Sequence, residues 1–145
     1  MKVFLDTHIL LDLLLERAGY EASADLFDIC EKRSFGLSAS VLTMINVAFV
    51  YKKTVGQNMA VVNLKYLSSI LEVLPMDYEM LQSAIMMSGR DFEDTFQAVC
   101  AREGGCDCIV TRNPKDFNIK KGLSSKKGIP KVLTPQEFIN TYDSL

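Results

Sequence analysis

Apolar residues along the chain follow two patterns, short unbroken runs and longer stretches in which they recur every three or four positions. Lys2-Val3-Phe4-Leu5 is a run of strand formers, and Asp6 or Thr7 can then cap a helix carrying Ile9, Leu10, Leu13 and Leu14 at helical spacing. A second helix is predicted from Glu21 to Arg33, with Ala22, Leu26, Ile29 and Cys30 on one face and Lys32 and Arg33 favourable at its carboxyl end. Gly36 permits a turn into a short strand, Leu37-Ser38. Ser40 reads as the cap of a helix through Val41, Leu42, Ile45, Ala48 and Phe49, closed by Lys52, Lys53 and Gly56, and another runs from about Asn58 to Leu71.

Glu72-Val73-Leu74 is strand-like and Pro75 ends it, after which Tyr78 to Met87 reads as a helix with Leu81, Ala84 and Ile85 inward. From Asp91 to Glu103, Phe92, Phe96, Val99 and Cys100 recur at helical intervals until Gly104-Gly105 stops them. Cys108-Ile109-Val110-Thr111 and Lys131-Val132-Leu133 are the last strands, separated by a Gly/Ser/Lys-rich loop, and Thr134-Pro135 opens a terminal helix from Gln136 to Thr141. Short buried runs alternating with helices call for a parallel sheet of about five strands covered on both faces, because each crossover helix must bury its apolar stripe. The expected fold is a three-layer α/β/α sandwich forming a single domain over residues 1–145. Ligands of such sheets collect outside the carboxyl ends of the strands.

Composition supports one core: 48% of residues are hydrophobic and 9% aromatic in a chain of 145. The net charge of −2 creates no global positive field, so any contact with nucleic acid must be local or metal-mediated. Charge is nevertheless segregated. Seven acids stand against Arg17 alone between Asp6 and Glu31, and seven bases against Asp116 alone between Arg112 and Lys131. The basic stretch could hold phosphates, with Arg112 and Lys115 as the candidates nearest a strand end, although Lys120, Lys121, Lys126 and Lys127 also suit a solvated loop. Asp6 interrupts any signal-peptide core and no apolar run approaches the ~20 residues of a membrane span, so a soluble cytoplasmic protein is expected. Cys30, Cys100, Cys106 and Cys108 lack the doubled spacing of a zinc site and read as reduced and structural.

Three acids fall at the predicted carboxyl edge: Asp6 after the first strand, Asp116 shortly after Thr111, and Asp94 in the first turn of the preceding helix. Any one of them alone would be read as a helix cap. Together they offer hard oxygen donors suited to Mg²⁺ or Mn²⁺. Neither Gly-x-Gly-x-x-Gly nor a phosphate-binding Gly-x-x-x-x-Gly-Lys motif follows the first strand, where Thr7-His8-Ile9 stands instead, which argues against a nucleotide-binding or receiver protein on the same layout.

Val3-Phe4-Leu5-Asp6-Thr7-His8, Ser38-Ala39-Ser40, Asp91-Phe92-Glu93-Asp94 with Ala98 and Ala101, Ile109 through Phe117, and Val132 through Phe138 occur in an order that resembles the PIN-domain ribonucleases, particularly bacterial toxins of the VapC type. The resemblance spans nearly the whole chain. It implies RNA phosphodiester cleavage with Mg²⁺ or Mn²⁺, with Asp6 as the first metal carboxylate, Asp94 the third acidic position and Asp116 the fourth. Thr111 and Asn113 would support the site, with Thr7 and His8 beside Asp6 and Asp91 as an auxiliary acid. It also implies a small antitoxin partner and a homodimer, to which the helices around Val41 to Tyr51 and Val61 to Leu71 could contribute. Two positions depart from the family pattern. His8 replaces the usual Asn, and the second acidic position, counted from Ser40, falls on Asn46; counted from Ser38 it falls on Met44, which cannot serve a hard cation. A neutral amide there predicts weaker metal affinity than a full quartet of acids. It leaves a catalytically weakened RNA- or protein-binding relative as the competing reading.

Overall fold

The computed structural model describes residues 1–87, 89–117 and 128–144. Five strands form one sheet in the order β3-β2-β1-β4-β5: β1 (Lys2–Leu5), β2 (Gly36–Ser40), β3 (Glu72–Leu74), β4 (Cys108–Val110) and β5 (Lys131–Leu133). Every pairing is parallel, with Phe4 opposite Ser38 on one side and Ile109 on the other. The helices are α1 (Thr7–Leu14), α2 (Tyr20–Arg33), α3 (Val41–Val55), α4 (Gln57–Ile70), α5 (Tyr78–Met86), α6 (Phe92–Glu103) and α7 (Pro135–Tyr142).

Two cores lie on opposite faces of the sheet because successive strand residues point to opposite sides. Val3, Leu5, Ala39, Cys108, Val110 and Leu133 face Ile9, Leu10, Leu26, Met44, Leu67 and Phe138 from α1, α2, α3, α4 and α7. Phe4 and Ile109 face the other way, against Ala98, Cys100 and Ala101 of α6 and against Phe117. The expected three layers are therefore present. The four cysteines are buried and unbridged, and burial pushes the thiols of Cys30, Cys100 and Cys108 up to about 12. Among the described residues no helix is long and apolar enough to cross a membrane.

Several local expectations need correction. On α3 the buried positions are Thr43, Met44 and Val47, while Val41, Ile45 and Phe49 face outward at 44%, 59% and 54% exposure. Thr43 is held inward by hydrogen bonds, so the helix presents a mixed face to the core and leaves an apolar one outside. Ile85 of α5 is likewise exposed rather than inward, leaving Ala84 as the buried residue of that helix. The strand expected at Leu37-Ser38 extends over Gly36–Ser40, and a 3-10 turn, Pro114–Phe117, follows β4. Lys120, Lys121, Lys126 and Lys127 lie outside the described residues.

Candidate active site

β1 is central, and the chain leaves it for β2 on one side but returns to its other side as β4, so the strand order reverses beside β1. At such a switch point the helices leave in opposite directions and open a crevice at the strands' carboxyl ends. Asp6 stands at its floor. It is the N-cap of α1 and only 7% exposed, with Oδ1 accepting from the Thr7 amide and Oδ2 from the Thr111 hydroxyl, both at 2.8 Å. Burial raises the Asp6 pKa, and the Thr111 and Thr7 hydrogen bonds and nearby His8 oppose it. Thr111 is fixed in turn by the Asn113 amide, which donates to its hydroxyl at 3.2 Å.

A cleft of about 380 Å³ opens over Asp6, walled by Thr7, His8, Asn46, Asp91, Glu93, Asp94, Asn113 and Asp116 among others. Asp91 caps α6 by accepting from the Asp94 amide at 2.9 Å, which brings Glu93 and Asp94 into the helix's first turn at the cleft edge. The Asp94 carboxyl is half-buried and is pushed up to about 7, by burial first and then by the charges of Asp6, Asp91, Asp116 and Glu93. Asp116, in the 3-10 turn, lies 3.7 Å from the Arg90 guanidinium. His8 is exposed at the mouth rather than packed.

Behind the cleft a buried polar chain ties three elements together. Thr7 and Thr43 share a hydroxyl contact of 3.2 Å, Gln97 Nε2 donates to Thr43 Oγ1 at 2.9 Å, and Ser40 Oγ donates to Gln97 Oε1. Ser40 also caps α3 through the Thr43 amide at 3.0 Å, as its position in the sequence predicts. Nearer solvent, Asn46 Nδ2 donates to Glu93 Oε1 at 2.7 Å.

Residues 2–115 match the PIN domain family. The chain belongs to the PIN-domain family. It is 29% identical over 150 residues to Ribonuclease VapC1 of Aquifex aeolicus (strain VF5), a match covering 99% of this chain and 97% of that protein. The fold is also that of a toxin-antitoxin complex chain from Klebsiella pneumoniae (TM-score 0.62, 20% identity, 92% of this chain and 97% of the other). A chain of the DNA-bound VapBC structure from Salmonella typhimurium is similar to the same degree (TM-score 0.62, 16% identity, 93% and 98% covered).

Eight residues expected at the site of this PIN domain, Asp6, Thr7, His8, Asn46, Asp91, Asp94, Asn113 and Asp116, line one cleft, and Thr111 supports it from behind. Arg112 and Lys115 are not among its lining residues. Arg112 instead donates to buried Asp12 at 3.0 Å, and Arg17 approaches the same oxygen at 3.4 Å. Glu93, Thr43 and Gln97 were not singled out from the sequence. Glu93 sits inside the quoted Asp-Phe-Glu-Asp motif, whereas a Gln in a helix carries no local signal of a buried contact across to another helix.

Among the described residues no three acidic, His or Cys side chains gather tightly enough to enclose a metal ion by themselves. A Mg²⁺ site does not require that, since the ion keeps several waters and is held by one or two carboxylates plus substrate phosphate. The donor set is all oxygen, and the crowding of acids around Asp94 is a charge imbalance that a dication would relieve. The residues thus fit Mg²⁺ or Mn²⁺.

Proposed function

We propose that this PIN domain is a divalent-metal-dependent endoribonuclease. The supporting observation is the convergence of Asp6, Asp94 and Asp116 on one cleft at the switch point of the sheet. Bound Mg²⁺ or Mn²⁺ supplies a water of lowered pKa and neutralises charge developing on the phosphate. Asp6 and Asp94 would hold the ion, with Asp6 oriented by the Thr7 amide and the Thr111 hydroxyl. Asp116 lines the same cleft, 3.7 Å from the Arg90 guanidinium. No protein nucleophile is required. Incubating the purified protein with labelled RNA and Mn²⁺ tests the reading: metal-dependent cleavage that disappears in Asp6→Ala is expected, and equal cleavage by both proteins would overturn it.

The Aquifex aeolicus relative is named a ribonuclease, and the Klebsiella pneumoniae structural neighbour is a toxin-antitoxin complex. On that basis the chain serves in the cytoplasm as the toxin of a pair, its cleft blocked by a small antitoxin. Arg112 and Lys115 remain candidate RNA contacts from outside the cleft lining, Arg112 only by leaving Asp12. The outward apolar faces of α3 and α4, with Ile45, Val61, Val62 and Tyr66 exposed, suit a homodimer interface.

A further inference from the structure

The amide at position 46 removes one negative charge from a site built on negative charge, and the structure places another carboxylate against it. Asn46 Nδ2 donates to Glu93 Oε1 at 2.7 Å, and both residues line the cleft with Asp6 and Asp94. The juxtaposition follows from the registry of two helices. Ser40, Thr43 and Asn46 recur every three residues along α3, while Glu93 and Gln97 are one turn apart on α6. Buried Gln97 bonds Ser40 and Thr43 at once, fixing how the two helices lie against each other. The next step of the same seam, toward solvent, brings Asn46 to Glu93.

We infer that Glu93 supplies to the metal site the carboxylate charge that position 46 lacks, with Asn46 as the positioning residue that aims it into the cleft. This rests on the metal-dependent reading of the cleft. Three physical points carry it. Asn46 spends an N–H on the carboxylate, leaving its own carbonyl oxygen free to accept from a metal-bound water. Glu93 lies in the first turn of α6, at the end of the helix where an acidic side chain is favourable. It also precedes Asp94 directly in that turn and lines the same cleft as the proposed ligands.

Calorimetric titration of the full chain with Mn²⁺ at neutral pH provides the test, using wild type, Asp94→Asn, Glu93→Gln and the exchange variant Asn46→Asp/Glu93→Gln. Glu93→Gln keeps a carbonyl for Asn46 and removes only charge. It is expected to weaken Mn²⁺ binding by about 10–100-fold, the usual effect of a residue that supports a metal's ligands. The exchange variant restores the charge in mirrored form and is expected to recover most of that affinity, while metal-free melting temperatures of both stay close to wild type. Wild-type affinity in Glu93→Gln, with binding lost in Asp94→Asn, overturns the role of Glu93 and leaves the metal site standing. Failure of the exchange variant to recover affinity, with its fold intact, overturns the equivalence of the two positions. Absence of Mn²⁺ binding by wild type overturns both readings together.

Discussion

Asp6 is a carboxylate in a nearly closed position, and each of its oxygens has a protein donor. Burying a charge without such partners is costly, so the Thr111 hydroxyl is both a structural and a functional group. Thr111→Val is expected to lower the unfolding free energy by about 1–3 kcal/mol, because it leaves buried Oδ2 without its donor. Urea denaturation checks this, and Thr111→Ser should recover most of the loss. Asp94 has the opposite character. Its folded carboxyl titrates at about 7 against an ordinary value of 3.8, so between those values the folded state binds more protons than the unfolded chain. Stability contributed by this residue therefore falls as pH rises through that window and is at its lowest above it. Asp94→Asn is expected to melt above wild type at alkaline pH, with the difference closing toward and below pH 3.8, while RNA cleavage is lost. A variant melting below wild type at alkaline pH would contradict the charge crowding. Mn²⁺ should raise the wild-type melting temperature and leave that of Asp94→Asn nearly unchanged.

At the scale of elements, the site is assembled from helix ends and the loop after β4, and buried polar contacts set how they meet. Asp12 on α1 is 1% exposed and accepts from Arg112, which directly follows Thr111. The pair links α1, whose cap is Asp6, to the segment carrying Thr111, Asn113 and Asp116. Gly19 lies so close that a Cβ there would fall 2.2 Å from Asp12 Oδ2, so a side chain at that position would have to displace the Asp12 carboxylate. Arg112→Ala is expected to cost on the order of 1–3 kcal/mol, toward the lower end because Arg17 still reaches Asp12 at 3.4 Å. Replacing both partners, as Asp12→Leu/Arg112→Ala, should cost less than the single change, since it also removes the buried carboxylate that Arg17 alone is left to pair. Chemical denaturation of the three proteins distinguishes this from a role in RNA contact alone, which would leave stability unaltered. The seam of Ser40, Thr43 and Gln97 acts likewise between α3 and α6, and explains why α3 turns Thr43 rather than Ile45 to the interior.

At the scale of the molecule, an apolar face remains outside: Ile45, Phe49, Met59, Val62 and Tyr66 of α3 and α4 are each half-exposed or more. Light scattering is expected to show a dimer that Ile45→Lys/Val62→Lys converts to monomer, and a monomeric wild type would discard this use of the face. Strand and helix identities, the parallel sheet and the Asp6, Asp94 and Asp116 set were legible in the sequence because periodicity, caps and acids at strand ends are local signals. The chemistry proposed for the site rests on the same signals, since acids at the predicted carboxyl edge of the sheet suit a hard cation. The outward turn of Ile45 and Phe49, the engagement of Arg112 with Asp12, and the meeting of Asn46 with Glu93 were not legible. Each depends on residues 47 to 100 positions apart coming together, or on which helix face the sheet leaves over. Sequence by itself thus determined the elements, their layering and the acids that gather at the cleft. Only the tertiary structure decided which side chains share the cleft, because helix registry is set by long-range packing and buried hydrogen bonds that no local pattern encodes.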